Sequence, residues 1–362
     1  MKSFEIGDLS IPIPIVQGGM GIGISLSGLA SAVATAGGIG TIATVGIGLI
    51  HGTRDRSYRQ NNIDGVISEI RKARQLTKGV LGVNIMSVLT NFSDLVETAI
   101  KEKIDIIFSG AGLPLDLPKF LTKKSKTKLV PIVSSGRAAQ IITNKWIQNF
   151  NYVPDAFVVE GPEAGGHLGF KLNNINSESA KLDHLVKDVV HVSNDIFESH
   201  QRKVPVIAAG GITTGQQIVK MINIGATAVQ LGSSFIATKE CDASLAFKQA
   251  IVDSTKEKIR LIQSPVGLPG RAIENDFLLA AEQGQRRPKG CKYHCIKSCN
   301  PKTTDYCIAD ALLSAYHGKF DSGFAFSGAN SHNIKSITTV VEVIGRLTKE
   351  YEYYAKTHNV TS

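Results

Sequence analysis

The segment VVEGPEAGGHLGF, residues 158–170, places one imidazole, His167, behind a glycine pair and two carboxylates, Glu160 and Glu163. A histidine takes or gives a proton near neutral pH, and neighbouring glycines let backbone approach a flat or phosphorylated ligand. A plain turn that happens to contain a histidine would have the same composition, so the segment needs support from elsewhere in the chain. AAGGI carries Gly210 and Gly211, and QLGSSF carries Gln230, Gly232, Ser233 and Ser234. Glycines in such turns free backbone N–H groups to face an anion and the hydroxyls add donors, which is the chemistry of a phosphate site. QGGMG sets Gly18 and Gly19 ahead of Met20, where a planar ring can lie against backbone with a thioether over its face; a closely packed strand corner is the alternative. GVNIM embeds Asn84 in an apolar run. A buried amide demands partners, supplied by a polar heterocycle or by the fold itself.

These residues fall at the ends of short β-branched runs. The runs are 12–19, 38–43, 79–86, 104–112, 128–136, 155–161, 204–211 and 227–234, and amphipathic stretches such as 63–76 and 214–225 lie between them. Continuous apolar strands separated by helices predict a parallel sheet buried on both faces, and eight units predict an α/β fold, a TIM (β/α)8 barrel. In such a barrel the chemistry sits where strands give way to helices. A doubly wound sheet is the alternative. Its dinucleotide fingerprint is weakly imitated by Gly38, Gly40 and Ala43, but there the glycines open a strand and not a helix.

After residue 253 the alternation stops. Residues 264–277 and 282–307 are rich in turn formers and charge, and helical patterns return at 308–317 and 334–354. The expected organisation is therefore a barrel over 1–253 and a C-terminal cap segment over 254–362, too short to be a large independent domain. No run reaches the ~20 uninterrupted apolar residues of a membrane span, and the first residues lack a secretory pattern, so the expected location is cytoplasmic. The net charge of +9 comes from scattered lysines. Its one dense run, TKKSKTK at 122–128, has no interleaved aromatics, so it is taken as a solvated face and not a nucleic-acid site.

A barrel with a phosphate site at strands seven and eight and a flat polar heterocycle across its mouth suits FMN. The stretches PIVQGGMGIGIS, GVNIM, EGPEAGGHLG, VPVIAAGGI and AVQLGSSF resemble the nitronate monooxygenase (2-nitropropane dioxygenase) family of FMN-dependent barrels. That family includes flavin-containing enoyl-ACP reductases and some NAD(P)H:quinone reductases. The resemblance spans most of residues 10–240, and SPVGLPGRAI continues it into the cap. It implies Gly18, Gly19 and Met20 against the flavin ring, with Asn84 at its polar edge. Gly165, Gly166, Gly210, Gly211, Gln230, Gly232, Ser233 and Ser234 would surround the ribityl chain and phosphate. His167 matches the catalytic histidine. Glu160 departs from the pattern, because many relatives carry glutamine there; an ionised Glu160 would hold an imidazolium and raise the pKa of His167. The implied partners are a small-molecule substrate, O2 and, in the reductase members, NAD(P)H, with homodimer formation left open. The expected activity is oxidation of alkyl nitronates or nitroalkanes with O2, the alternative being NAD(P)H-dependent reduction of an enoyl-ACP or quinone. IMP-dehydrogenase-like barrels share the phosphate loops but need a cysteine after strand six, and 160–172 holds none. A non-catalytic flavin or thiol redox sensor is the remaining reading.

No metal ligand is assigned from the sequence. Cys291, Cys295, Cys299 and Cys307 lie close together, with Cys241 apart. A helix over 291–299 would align three thiols along one stripe. The spacing matches no common zinc or iron–sulfur signature, so structural thiols, a metal or cluster site and redox-active thiols all remain open. Arg271 is expected to reach an anion at the mouth or to lie on the surface, and His294 and His317 are expected at the surface or in packing.

Overall fold

The structure, a computed structural model, describes residues 1–53 and 55–357. Eight parallel strands form the barrel: Ile15–Gln17, Gly40–Ala43, Leu81–Met86, Ile106–Gly110, Lys128–Val133, Phe157–Glu160, Val206–Ala209 and Ala228–Leu231. Each lies within one of the eight apolar runs. The eighth strand returns to the first, with Val229 opposite Ile15. The first meets the second through Gln17 N–H to Ile39 O at 2.9 Å and Ile39 N–H to Ile15 O at 3.0 Å. This closure excludes the doubly wound alternative. Gly40 serves close packing: a Cβ there would lie 1.8 Å from Ala30 O in helix Ser27–Thr35, so strand and helix touch backbone to backbone.

The strands alternate between two cores. Val16, Ile106, Val130, Val158 and Ile207 point into the barrel. Their neighbours Ile15, Ile107, Leu129, Val159 and Ala208 pack outward beneath the helices. An N-terminal hairpin of Phe4–Ile6 and Leu9–Ile11, not foreseen from the sequence, seals the interior with Phe4, Ile6 and Ile11. Each such fully buried side chain stabilises the fold by roughly 1.5–3 kcal/mol.

The helices on the outer face include Tyr58–Leu76, Phe92–Lys101, Gly136–Phe150, Leu182–His200 and Gly215–Asn223. Ser57 and Ser135 cap two of them, and Thr214 with Gln217 forms a capping box on the last. Beyond the barrel, Ile259–Gln263 and Pro269–Ile273 pair antiparallel, and Pro269–Ile273 also pairs with the short strand Gly166–His167. Helices Ile308–Tyr316 and Val340–Thr357 follow. The final helix docks on the seventh unit, where Glu350 accepts from Gly215 N–H at 2.7 Å and the Arg346 guanidinium donates to Thr213 O. The stretch 291–299 is turns and bends, not the helix considered above. Within it His294 adopts a φ of +47°, which an α-helix does not contain. His294 and His317 are both exposed, as expected. No helix among the described residues is long and apolar enough to cross a membrane.

Candidate active site

A cavity of about 250 Å³ opens where the barrel strands end. One water needs only ~10–15 Å³, so this is a ligand-sized space and not a packing defect. Gly18, Gly19, Met20, Asn84, Glu160, Gly165, Gly166, His167, Gly210, Gly211, Gln230, Gly232 and Ser233 all line it. Ser234 does not. It lies in the short helix Ser233–Ile236 with its side chain buried, and its Oγ has no hydrogen-bond partner among the described residues.

The loop from Gly18 is fixed at both ends. Fully buried Gln17 accepts from Thr41 N–H at 2.8 Å and donates to Gly18 O, and Gly18 N–H reaches Leu231 O at 2.9 Å. Met20 N–H donates to Ser25 Oγ at 2.9 Å. Asp242 then accepts from the backbone of Leu26, Gly28 and Leu29, capping helix Ser27–Thr35. A Cβ on Gly19 would lie 2.3 Å from Asn84 Cβ, so only glycine lets this amide stand where it does. Asn84, Glu160 and Gln230 thus present three polar heads from the third, sixth and eighth strands.

On the opposite side, Gly210 and Gly211 adopt φ of +102° and +77°, a conformation that favours glycine. Ser233 Oγ accepts from Gly328 N–H at 3.0 Å. Asn330 donates to Gly211 O at 2.7 Å and to Glu163 Oε2 at 3.0 Å. A Cβ on Gly232 would meet only Met20 Sδ, at 3.4 Å, and one on Gly166 would meet nothing within 4 Å. Both glycines therefore border open space that a side chain would fill.

His167 is held by the cap. Its strand pairs with Pro269–Ile273, with Gly270 opposite His167 and Leu168 N–H on Pro269 O at 2.8 Å. Its Nε2 lies 2.7 Å from Ser264 Oγ, and that oxygen accepts from Val266 N–H at 3.3 Å. Phe326 packs edge-on against the imidazole, ring centres 5.0 Å apart. Withdrawal from bulk water lowers the pKa of His167 to about 4 and raises that of Glu160 to about 7. This corrects the expectation that Glu160 holds an imidazolium and raises the histidine pKa. Desolvation dominates both groups, the partner of Nε2 is a hydroxyl, and the imidazole is neutral at pH 7.

Ser264, Phe326, Ser327, Gly328 and Asn330 were not singled out from the sequence. FAFSGANSH, 324–332, does carry the small and polar residues of a ligand loop, but it lies far along the chain from every strand end. Arg271, expected at the mouth or on the surface, donates from Nη2 to Pro162 O at 2.8 Å and so ties the cap to the loop before His167. It is absent from the cavity wall.

The nitronate monooxygenase family model matches residues 2–102 and 86–350. The chain belongs to the nitronate monooxygenase family. A probable nitronate monooxygenase of Staphylococcus aureus (strain Newman) is 28% identical over 306 residues, covering 75% of this chain and 78% of that protein. One from Staphylococcus saprophyticus is 26% identical over 299 residues with the same coverage. Among solved structures, FabK from Thermotoga maritima superposes with a TM-score of 0.74 at 27% identity, covering 96% of both chains. The nitroalkane oxidase from Streptomyces ansochromogenes shares the fold, with a TM-score of 0.74 at 22% identity over 96% of this chain and 98% of that one. Membership makes the protein a flavin-dependent oxidoreductase.

Proposed function

We propose that the protein is an FMN-dependent nitronate monooxygenase, a barrel over 1–253 with a cap segment over 254–362 that reaches the mouth through Phe326, Ser327, Gly328 and Asn330. The placement of His167 carries this assignment. It is one neutral imidazole on the wall of the glycine-rich cavity, fixed through Nε2 by Ser264. The residues present fit the cofactor. Gly18, Gly19 and Met20 would support the flavin ring, with Asn84, Glu160 and Gln230 offered to its polar edges. Gly165, Gly166, Gly210, Gly211, Gly232 and Ser233 would receive the ribityl chain and a single phosphate. Open space beside Gly232 and Gly166 supports that placement. Ser234, buried behind Ser233 and off the cavity wall, is left without a direct contact in this placement.

When bound, the flavin supplies the redox chemistry, accepting electrons from the organic substrate and passing them to O2. The chain supplies the proton handling. With Nε2 donating to Ser264 Oγ, Nδ1 is the basic nitrogen and takes the α-proton of a neutral nitroalkane. The resulting imidazolium keeps its Nε2–H on Ser264. Glu160 is uncharged below pH 7, where it acts as a donor much as the glutamine of relatives would. Its charge above pH 7 would repel an anionic nitronate.

The structural likeness to FabK favours a second reading, in which NAD(P)H reduces the flavin and an enoyl thioester or quinone is the second substrate. Anaerobic stopped-flow mixing with NADH or NADPH separates the two. Slow or absent flavin reduction, with fast reduction by a nitronate, is the expected result. Rapid reduction by a pyridine nucleotide and none by nitronates would replace the first reading with the second.

A further inference from the structure

All five cysteines are free, and four of them line a second cavity of about 220 Å³ in the cap. These are Cys291, Cys295, Cys299 and Cys307. The fifth, Cys241, is buried elsewhere and donates to Ile24 O. We propose that the four cap cysteines hold a [4Fe–4S] cluster, one thiolate to each iron.

The walls of this cavity are built as a fixed frame. Thr90 donates through its backbone to Cys295 O at 3.2 Å and through its hydroxyl to His294 O at 2.7 Å. Lys297 N–H reaches Val88 O at 3.0 Å, and Tyr293 Oη donates to Asp310 at 2.8 Å. The cysteine segment is thereby pinned to the loop after the third barrel strand and to helix Ile308–Tyr316. One backbone N–H is turned toward sulfur: that of His294, at φ +47°, donates to Cys291 Sγ at 3.2 Å. Such N–H···S bonds are among the interactions that hold and tune cluster ligands.

Other uses of four thiols fit less well. Zinc binds sulfur at about 2.3 Å and draws four thiolates into near contact. No three His, Cys, Asp or Glu side chains among the described residues are placed to hold a single ion. A cluster instead sets iron and sulfide between its thiolates and needs a volume at their centre.

Charge agrees. Between Glu282 and Asp305 there is no acidic residue, while Arg286, Arg287, Lys289, Lys292, Lys297 and Lys302 all fall in that interval. Four thiolates give a cluster site net negative charge, and Lys297 on the cavity wall would offset part of it. The second cavity also shares a wall with the first: Cys295, Ile296 and Ile308 line both.

The test is metal content, read independently of flavin or turnover. The full chain, expressed with iron and cysteine and purified anaerobically, should contain about four iron and four acid-labile sulfide per chain. Reduction with dithionite should give the electron paramagnetic resonance signal of a reduced iron–sulfur cluster, which a flavin radical does not show. Cys299→Ser and Cys291→Ser should lose most of the iron and sulfide, while Cys241→Ser keeps both. Fewer than one iron per chain in the anaerobic wild-type protein, or zinc in place of iron, would overturn the proposal whether or not the variants fold. So would equal iron loss in Cys241→Ser.

Discussion

His167 Nε2 and Ser264 Oγ lie 2.7 Å apart, joining the glycine loop after the sixth strand to the cap. The two residues are 97 positions apart in the chain, so the imidazole is oriented only when the cap is in place. Ser264→Ala removes one neutral hydrogen bond, worth roughly 1 kcal/mol. Turnover of a neutral nitroalkane should fall about 5–10-fold with KM little changed and flavin retained. Ser264→Thr, which keeps the hydroxyl, should restore most of it. An unchanged kcat in Ser264→Ala would show that the bond does not orient the base.

The cofactor side is tested best at Gly232. Its φ of −114° is not one reserved for glycine, and the carbons added in Gly232→Val enter the open space beside Met20. The variant should fold with a melting temperature close to that of flavin-free wild type, yet purify largely without FMN. Gly211 is a poorer choice, since any side chain there meets a positive φ and the Glu163 carboxylate together. Full flavin occupancy in Gly232→Val would place the phosphate elsewhere.

The two shifted groups in the cavity give stability opposite pH slopes. Glu160 ionises near 7 when folded against an ordinary 4.5, so between these values the folded chain holds the extra proton. Stability from this group is present below about pH 4.5 and lost as pH rises through 7. Glu160→Gln should therefore gain melting temperature relative to wild type, in flavin-free protein, on going from pH 4.5 to 8. His167 runs the other way. It ionises near 4 when folded against an ordinary 6.5, so its neutral burial costs stability as pH falls from 6.5 to 4. His167→Ala should relieve that loss. Melting curves of both variants over pH 4–8 measure the two slopes, and parallel curves for variant and parent would refute the assignments.

Much of this architecture was legible because parallel strands buried on both faces are continuous apolar runs. Runs such as VPVIAAGG announce both the strand Val206–Ala209 and the glycines at its end. The cavity residues at strand ends followed from the same logic, since a barrel gathers them whatever their spacing. What escaped depends on pairing across long distances. Nothing local in SPVG marks Ser264 as the partner of a histidine on another element. The pairing of Gly166–His167 with Pro269–Ile273 is likewise invisible until both are placed. Ser234, expected beside Ser233, does not line the cavity, because it follows Ser233 around a helical turn. The cysteines were legible as a group, but their shared cavity arises from turns and not from a helical stripe.

Arg271 offers a test of how the cap is tethered. Its guanidinium crosses from strand Pro269–Ile273 to Pro162 O. Arg271→Ala should lower stability by about 1–2 kcal/mol through the lost charged hydrogen bond. It should leave flavin content unchanged, because the side chain does not enter the cavity. Loss of flavin without loss of melting temperature would instead make Arg271 a cofactor ligand.

The role of His167 as base is decided by comparing His167→Ala on the two forms of one substrate. A positioned histidine contributes about 10²–10⁴-fold to proton transfer. With a neutral nitroalkane the variant should retain flavin and lose turnover by that order. With the pre-formed nitronate, whose α-proton is already gone, the loss should be much smaller. Equal losses on the neutral and anionic forms would contradict the account, and His167 would then position substrate without taking its proton.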